Sequence, residues 1–155
     1  MSPRAEGEKT VATNRRARRD YAFLDVFECG IALTGSEVKS LREGRASLNE
    51  AFARVERGEV WLEQMHIPPY EQGEKRKYDP VRRRKLLLHR REIDRMAQKQ
   101  KELGLTLVPA RVYFSHGLAK VELALARGKR QHEKRQAIAE REHQREIERA
   151  SGRRR

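Results

Sequence analysis

Cysteine is all but missing from this chain: Cys29 stands alone among 155 residues. One thiol cannot close an internal disulfide, and no Cys or His pair has metal-ligand spacing, so a disulfide scaffold and a zinc module are excluded and no metal is expected. The chain suits a reducing compartment. With no apolar signal-like stretch at the N-terminus, the cytoplasm is the default location. No apolar run approaches the length needed to span a bilayer. No helix pairs the positive charge with a large aromatic or leucine face, so a membrane surface is a poor partner. Aromatic residues make up 6% of the chain, too few for stacking on successive unpaired bases to be the obvious mode of binding.

Recognisable catalytic patterns are also missing. Gly30 and Gly35 have the spacing of a P-loop start, but Ser36-Glu37 follows where Lys and Ser/Thr would be required to hold phosphate and Mg²⁺. His66, His89, His116, His132 and His143 are scattered, with no pair three or four apart. Cys29 has Glu28 and Glu37 near it in sequence, which would raise a thiol pKa if close, so a packed side chain is expected there. A metal-dependent nuclease built on Glu28 and Glu37 is the one catalytic alternative; otherwise no enzyme and no cofactor is expected.

Positive charge is what the chain has in excess: 36 Lys and Arg against 23 Asp and Glu, net +13. Its layout is uneven. Residues 1–20 carry net +3, 21–73 net −4, 74–101 net +8, 102–126 zero and 127–155 net +6. Two basic blocks and a small N-terminal cluster are the footprint of a nucleic-acid binder.

The pattern of apolar residues divides the chain into a polar, flexible start (1–13), a folded domain (14–127) and a basic tail (128–155). Tyr21 to Leu33 reads as a strand, with Gly30 marking a bulge or the close approach of another backbone. Thr34 to Glu37 is a capping box opening a short helix that stops at Gly44. Val55 and Val60 bracket Arg57-Gly58 as a hairpin turn, and Pro68-Pro69 ends that unit. Ile93, Met96 and Leu103 recur near the helical period until Gly104. Leu105–Phe114 and Leu118–Leu125 form a second hairpin about Ser115-His116-Gly117. The class is α+β, mainly β; a small closed antiparallel barrel of OB type would remove the strand edges and offer a face to nucleic acid. In the tail, Ile138 and Ile147 lie nine positions apart, on opposite faces of any helix, so no apolar stripe exists to dock it. Like charges at Arg141/Arg145, Glu142/Glu146 and Arg145/Arg149 weaken a helix further. A marginal helix or disordered segment awaiting a polyanion is expected.

Arg82, Arg83, Arg84 and Lys85 give four consecutive positive groups, joined by Lys75-Arg76-Lys77, and read as phosphate contacts. Tyr21, Tyr70 and Tyr78 are candidate stacking groups, but recognition of a folded RNA by shape and phosphate fits the composition better. Charge layout alone also fits a structural ribosomal protein with a basic extension.

Longer motifs narrow this. Asn14-Arg15-Arg16-Ala17-Arg18, Phe27 to Leu33, Gly35-Ser36-Glu37-Val38-Lys39-Ser40-Leu41-Arg42, Arg82 to His89, Val112-Tyr113-Phe114, Gly117 to Glu122 and Gly128 to Arg135 resemble, in order, the SsrA-binding protein (small protein B) family. The resemblance implies an OB-like barrel with flanking helices and a non-enzymatic, monomeric partner of transfer-messenger RNA. Such proteins grip the tRNA-like domain, support its alanylation by alanyl-tRNA synthetase, and accompany it with elongation factor Tu to stalled ribosomes. It implies RNA contacts at Glu28, Leu87 and Lys120, with Lys39, Asn14, Arg15 and Arg16 as weaker ones. Arg19 stands where a His is common in the family, and is counted with these contacts, as are Arg82, Arg84 and Lys85. The tail, disordered when free and helical in the ribosome's mRNA channel near the decoding centre, would act through Gly128, Lys129, His132, Glu133, Lys134 and Arg135. Glu133 replaces the family's usual Asp, Ala139 a frequent Lys, and His143 a position often aromatic.

Overall fold

A long antiparallel ladder organises the molecule. Strand β2 (Tyr21–Ile31) pairs with β7 (Leu118–Gly128) from Tyr21 opposite Gly128 to Gly30 opposite Lys120. Strand β7 pairs in turn with β6 (Thr106–Ser115) through the tight turn at His116 and Gly117. A computed structural model describes residues 7–71, 77–129 and 131–153, with the side chains of 131–134, 137 and 153 outside that description.

The other elements hang on this ladder in the order β1 (Glu8–Thr13), α1 (Arg15–Asp20), β2, α2 (Gly35–Arg42), β3 (Phe52–Glu56), β4 (Glu59–Glu63), β5 (Arg84–Leu87), α3 (Arg90–Leu103), β6, β7 and α4 (Gln131–Arg153). Pairing runs β6–β3–β4–β5–β2–β7 and returns to β6, while β1 lies on the remaining length of β6. Every pairing is antiparallel, and the class is α+β with sheet dominant. The core gathers Phe27, Cys29, Leu41, Leu62, Met65, Ile67, Leu86, Met96, Leu107, Val121 and Leu123, all but fully buried. A smaller apolar layer of Ala17, Val108, Ala124 and Ala126 lies beneath Tyr21 and Phe23.

Local sequence explains most boundaries. Thr34 accepts from the Glu37 amide at 3.3 Å and Glu37 accepts from the Thr34 amide at 2.9 Å, the expected capping box. Gly104 ends α3 in the left-handed conformation, as Gly at that position does. Ile93 and Met96 are its buried face.

Two expectations are corrected. Residues 8–13, read as part of a flexible start, are a strand: Val11 and Ala12 pack on the core and the backbone pairs with β6 from Ser115 to Arg111. Arg15–Asp20, to which the sequence pattern assigns no element, is a helix of six residues with Ala17 as its buried contact, too short and too charged to show a period. Arg84 and Lys85, read with Arg82 and Arg83 as a run of phosphate contacts, open a strand, Arg84–Leu87, between β4 and β2. The tail, read as a marginal helix or a disordered segment when free, forms one helix over residues 131–153. Its Ala, Glu, Gln, Lys and Arg are strong helix formers, and Glu142–Arg145 and Glu146–Arg149 offset the like-charge pairs. Its Ile138 and Ile147 stay exposed, as the lack of an apolar stripe requires.

Candidate nucleic-acid interface

Two adjacent rows of the sheet build the site. Across strands β1, β6, β7, β2 and β5, one row reads Thr10, Tyr113, Lys120, Gly30, Leu87. The next reads Arg111, Glu122, Glu28 across β6, β7 and β2. Residues opposite one another or two apart share a face of a sheet. Glu28, Leu87 and Lys120, far apart in sequence, therefore converge on one surface around Gly30. They line a shallow concavity of about 340 Å³ with Leu88 and His89, which lead into α3, and Glu92 in its first turn.

Gly30 makes this possible. A Cβ there would lie 3.3 Å from the Leu87 Cβ, a tight contact. This is the close approach anticipated from the sequence; the bulge in β2 lies between Phe23 and Asp25 instead. Leu87 is half exposed, so an apolar side chain is held on the surface beside a carboxylate and an ammonium. Lys120 Nζ sits 3.9 Å from Glu28 Oε1, and the Tyr113 hydroxyl donates to Glu28 Oε2 at 2.6 Å. An apolar groove lined by Ile31, Leu33, Val38, Phe114 and Leu118 continues from the same Gly30–Leu87–Lys120 wall.

Chemically the patch offers an acceptor for base or ribose donors, a cation for phosphate, and an apolar surface for a base face. Cys29, behind it, is fully buried. Burial, with the charges of Glu92 and Glu28, pushes its thiol up to about 12, so it is a packed side chain as expected; Glu37 plays no part in this.

Other sequence candidates fall elsewhere. Asn14 is buried: its amide donates to the Leu48 and Pro109 carbonyls at 3.2 and 2.9 Å, and its oxygen caps α1 at the Ala17 amide. It is a structural clasp, not an exposed RNA contact. Arg84 is not an exposed phosphate contact either. Its side chain is fully buried, paired with Glu37 at 2.5 Å and donating to the carbonyls of Met65 and Pro80 at 2.7 and 3.1 Å, so it cannot meet phosphate. Arg82 covers the same carboxylate at 2.6 Å but remains partly exposed. Glu37, read as a possible metal ligand, is thus sealed between two guanidinium groups. Lys85 pairs with Glu59 at 3.3 Å, and Arg83 lies over the Trp61 ring.

Arg15, Arg16 and Arg19 are exposed on α1; Arg16 pairs with Glu50 at 2.8 Å and Arg19 with Asp20 at 3.1 Å. Lys39 is exposed with its ammonium 5.5 Å from the Tyr70 ring centre. The Tyr78 hydroxyl donates to Ile67 O at 2.6 Å, and Tyr21 packs on the smaller apolar layer, so both have structural partners. Gly128 ends β7, and Lys129 ties the tail's root to α1 through Asp20 O and Arg18 O, 2.8 and 3.3 Å away. Arg135 is exposed on α4. The side chains of His132, Glu133 and Lys134 lie outside the described residues, as do Lys75 and Arg76.

Sequence reading missed Tyr113, Arg111, His89 and Glu92 as neighbours of the site. The spacing of Arg111 and Tyr113, two apart on a strand, puts both on one face, but only the register shows which face. Among the described residues no group of three His, Cys, Asp or Glu could hold a metal ion, and no helix is long and apolar enough to cross a membrane.

Fold and surface define a class: a small basic α+β protein with a mixed-charge, partly apolar patch on its sheet and a cationic helical extension. Within that class, the chain belongs to the SmpB protein family, whose model matches residues 11–153. It is 59% identical to the SsrA-binding protein of Salinispora tropica, over 98% of this chain and 96% of that one. It is 60% identical to the SsrA-binding protein of Acidothermus cellulolyticus, over 97% and 95%. A solved chain described as "tmRNA-SmpB: a journey to the center of the bacterial ribosome" matches with a TM-score of 0.65 and 50% identity, covering 82% of this chain and 93% of that one.

Proposed function

We propose that the chain is a non-enzymatic, cytoplasmic adaptor of trans-translation. It binds the tRNA-like domain of transfer-messenger RNA, supports its alanylation by alanyl-tRNA synthetase, and travels with it and elongation factor Tu to stalled ribosomes. The observation that carries this reading is the convergence of Glu28, Leu87 and Lys120 from three strands around Gly30. The ring of strand pairings is read as a closed OB-like barrel, a fold that commonly offers a face to nucleic acid. Arg15, Arg16, Arg19, Lys39, Arg82 and Lys85 add outer phosphate contacts, each worth little alone and sensitive to salt.

The tail has a separate task. At about 1.5 Å per residue its helix is about 35 Å long, and with no apolar stripe to return it to the body it suits the RNA-lined mRNA channel. Gly128, Lys129, His132, Glu133, Lys134 and Arg135 begin that contact at the decoding centre.

Binding of a tRNA-like transcript to Glu28→Ala and Lys120→Ala proteins tests the body. Each should weaken binding about tenfold, in line with a lost contact to a charged group. Truncation after Arg127 should spare that binding and abolish tagging on stalled ribosomes. Equal loss of both activities on truncation would refute the division of labour. Salt-resistant association with every ribosome, stalled or not, would favour a structural ribosomal protein instead.

A further inference from the structure

Glu28 is the exposed end of a buried relay. Its side chain is 57% exposed, whereas those of Arg111, Glu122 and Glu8 are 13%, 13% and 10% exposed. Arg111 donates to Glu122 at 2.5 Å and to Glu8 of β1 at 3.0 Å. Held in that fork, its guanidinium lies 3.8 Å from the centre of the Tyr113 ring. Tyr113 is itself 2% exposed, and its hydroxyl reaches diagonally over β7 to Glu28 Oε2.

We propose that Tyr113 is a positioning residue for RNA binding: it fixes the Glu28 carboxylate so that Oε2 is occupied and Oε1 faces Lys120 and the concavity, while Arg111 and Glu8 hold Tyr113 in place. This rests on the reading of Glu28 as an RNA contact. The geometry favours it on three counts. A carboxylate on a flexible, exposed side chain loses rotamer entropy on binding, and a prior hydrogen bond removes part of that cost. The donor is rigid, because its ring is buried and covered by a guanidinium that two carboxylates orient. The donor also keeps its proton: burial, then the hydrogen bond and charge of Glu28, push the Tyr113 phenol up from its ordinary value. The relay gives the N-terminal strand β1 a share in recognition although, among the described residues, it pairs with β6 and with none of the three contact residues' strands.

Tyr113→Phe deletes only the hydroxyl and keeps the ring under Arg111. Binding of a fluorescent tRNA-like transcript should weaken about five- to tenfold, within the cost of ordering one side chain that the hydroxyl no longer holds in advance. Thermal melting should confirm an intact fold. In a Glu28→Ala background the same change should alter affinity less than about twofold, because the group it positions is gone. Tyr113→Phe within twofold of wild type, while Glu28→Ala weakens binding, would overturn the relay alone. Equal effects of Tyr113→Phe in both backgrounds would also overturn it, since a general structural role would be additive. No effect of Glu28→Ala would overturn the RNA-contact reading and the relay with it.

Discussion

Arg84 sits in a run of four cations that looks like a phosphate grip, yet the structure makes it a stability residue. Its side chain and that of Glu37 are 0% and 1% exposed. Removing one partner of such a pair strands a buried charge, a loss of about 3–5 kcal/mol. Arg84→Met also leaves the carbonyls of Met65 and Pro80 without a donor that now serves them at 2.7 and 3.1 Å. Arg82, 2.6 Å from Glu37, moderates the loss because it still neutralises the carboxylate. Taking about 4 kcal/mol and a urea slope of about 2 kcal/mol/M, the unfolding midpoint should fall by about 2 M. The pH profile carries the same signature. Burial raises the Glu37 pKa, but the hydrogen bond from Arg82, the Thr34 amide and the Arg84 charge outweigh it and hold the carboxyl below its ordinary value. A lowered carboxylate pKa gives stability that is present above the unfolded value of about 4.3 and lost as pH falls through the folded one. Wild-type protein should therefore lose this contribution below about pH 4, and Glu37→Gln should flatten that part of the curve. RNA affinity, measured in the cold where the variant is folded, should keep its salt dependence. An unchanged urea midpoint, with the salt slope reduced by about one, would refute the reasoning and restore Arg84 as a phosphate contact.

Asn14→Ala should lower stability by about 2–3 kcal/mol, the cost of a lost cap plus two unsatisfied carbonyls, seen as a lower Tm with RNA affinity unchanged below it. Gly30→Ala should cost less than about 1 kcal/mol, since half-exposed Leu87 can yield by a few tenths of an ångström, but it should weaken RNA binding by moving Leu87; a titration paired with a melting curve separates the two. Cys29 should resist alkylation at pH 8 in native protein and react at once in denaturant, because its thiol titrates at about 12.

The elements that sequence revealed are those with a local signature. The Thr34–Glu37 box, the Arg57-Gly58 and His116-Gly117 turns and the Gly104 stop each encode their geometry within a few residues. What stayed hidden depends on partners distant in sequence. Strand β1 has one large aliphatic side chain, Val11, and is a strand because β6 offers it an edge. Arg84 reads as cationic surface until Glu37, 47 residues earlier, is seen against it. Asn14 carries the look of a polar surface residue, but Leu48 and Pro109 close over it. At the candidate site, the family resemblance pointed to Glu28, Leu87 and Lys120. Tyr113 and Arg111 emerged only with the register of β6 on β7.

The β2–β7 ladder has the proposed RNA patch near one end and the root of the tail at the other. Seven residues separate Tyr21, opposite Gly128, from Glu28, opposite Glu122; at about 3.3 Å each that is about 23 Å of paired strand. The ladder acts as a fixed ruler. RNA held at one mark cannot drift relative to the tail leaving at the other unless hydrogen bonds along the whole edge break. Any swing of the tail must then begin past Lys129, whose amide still holds the Asp20 carbonyl.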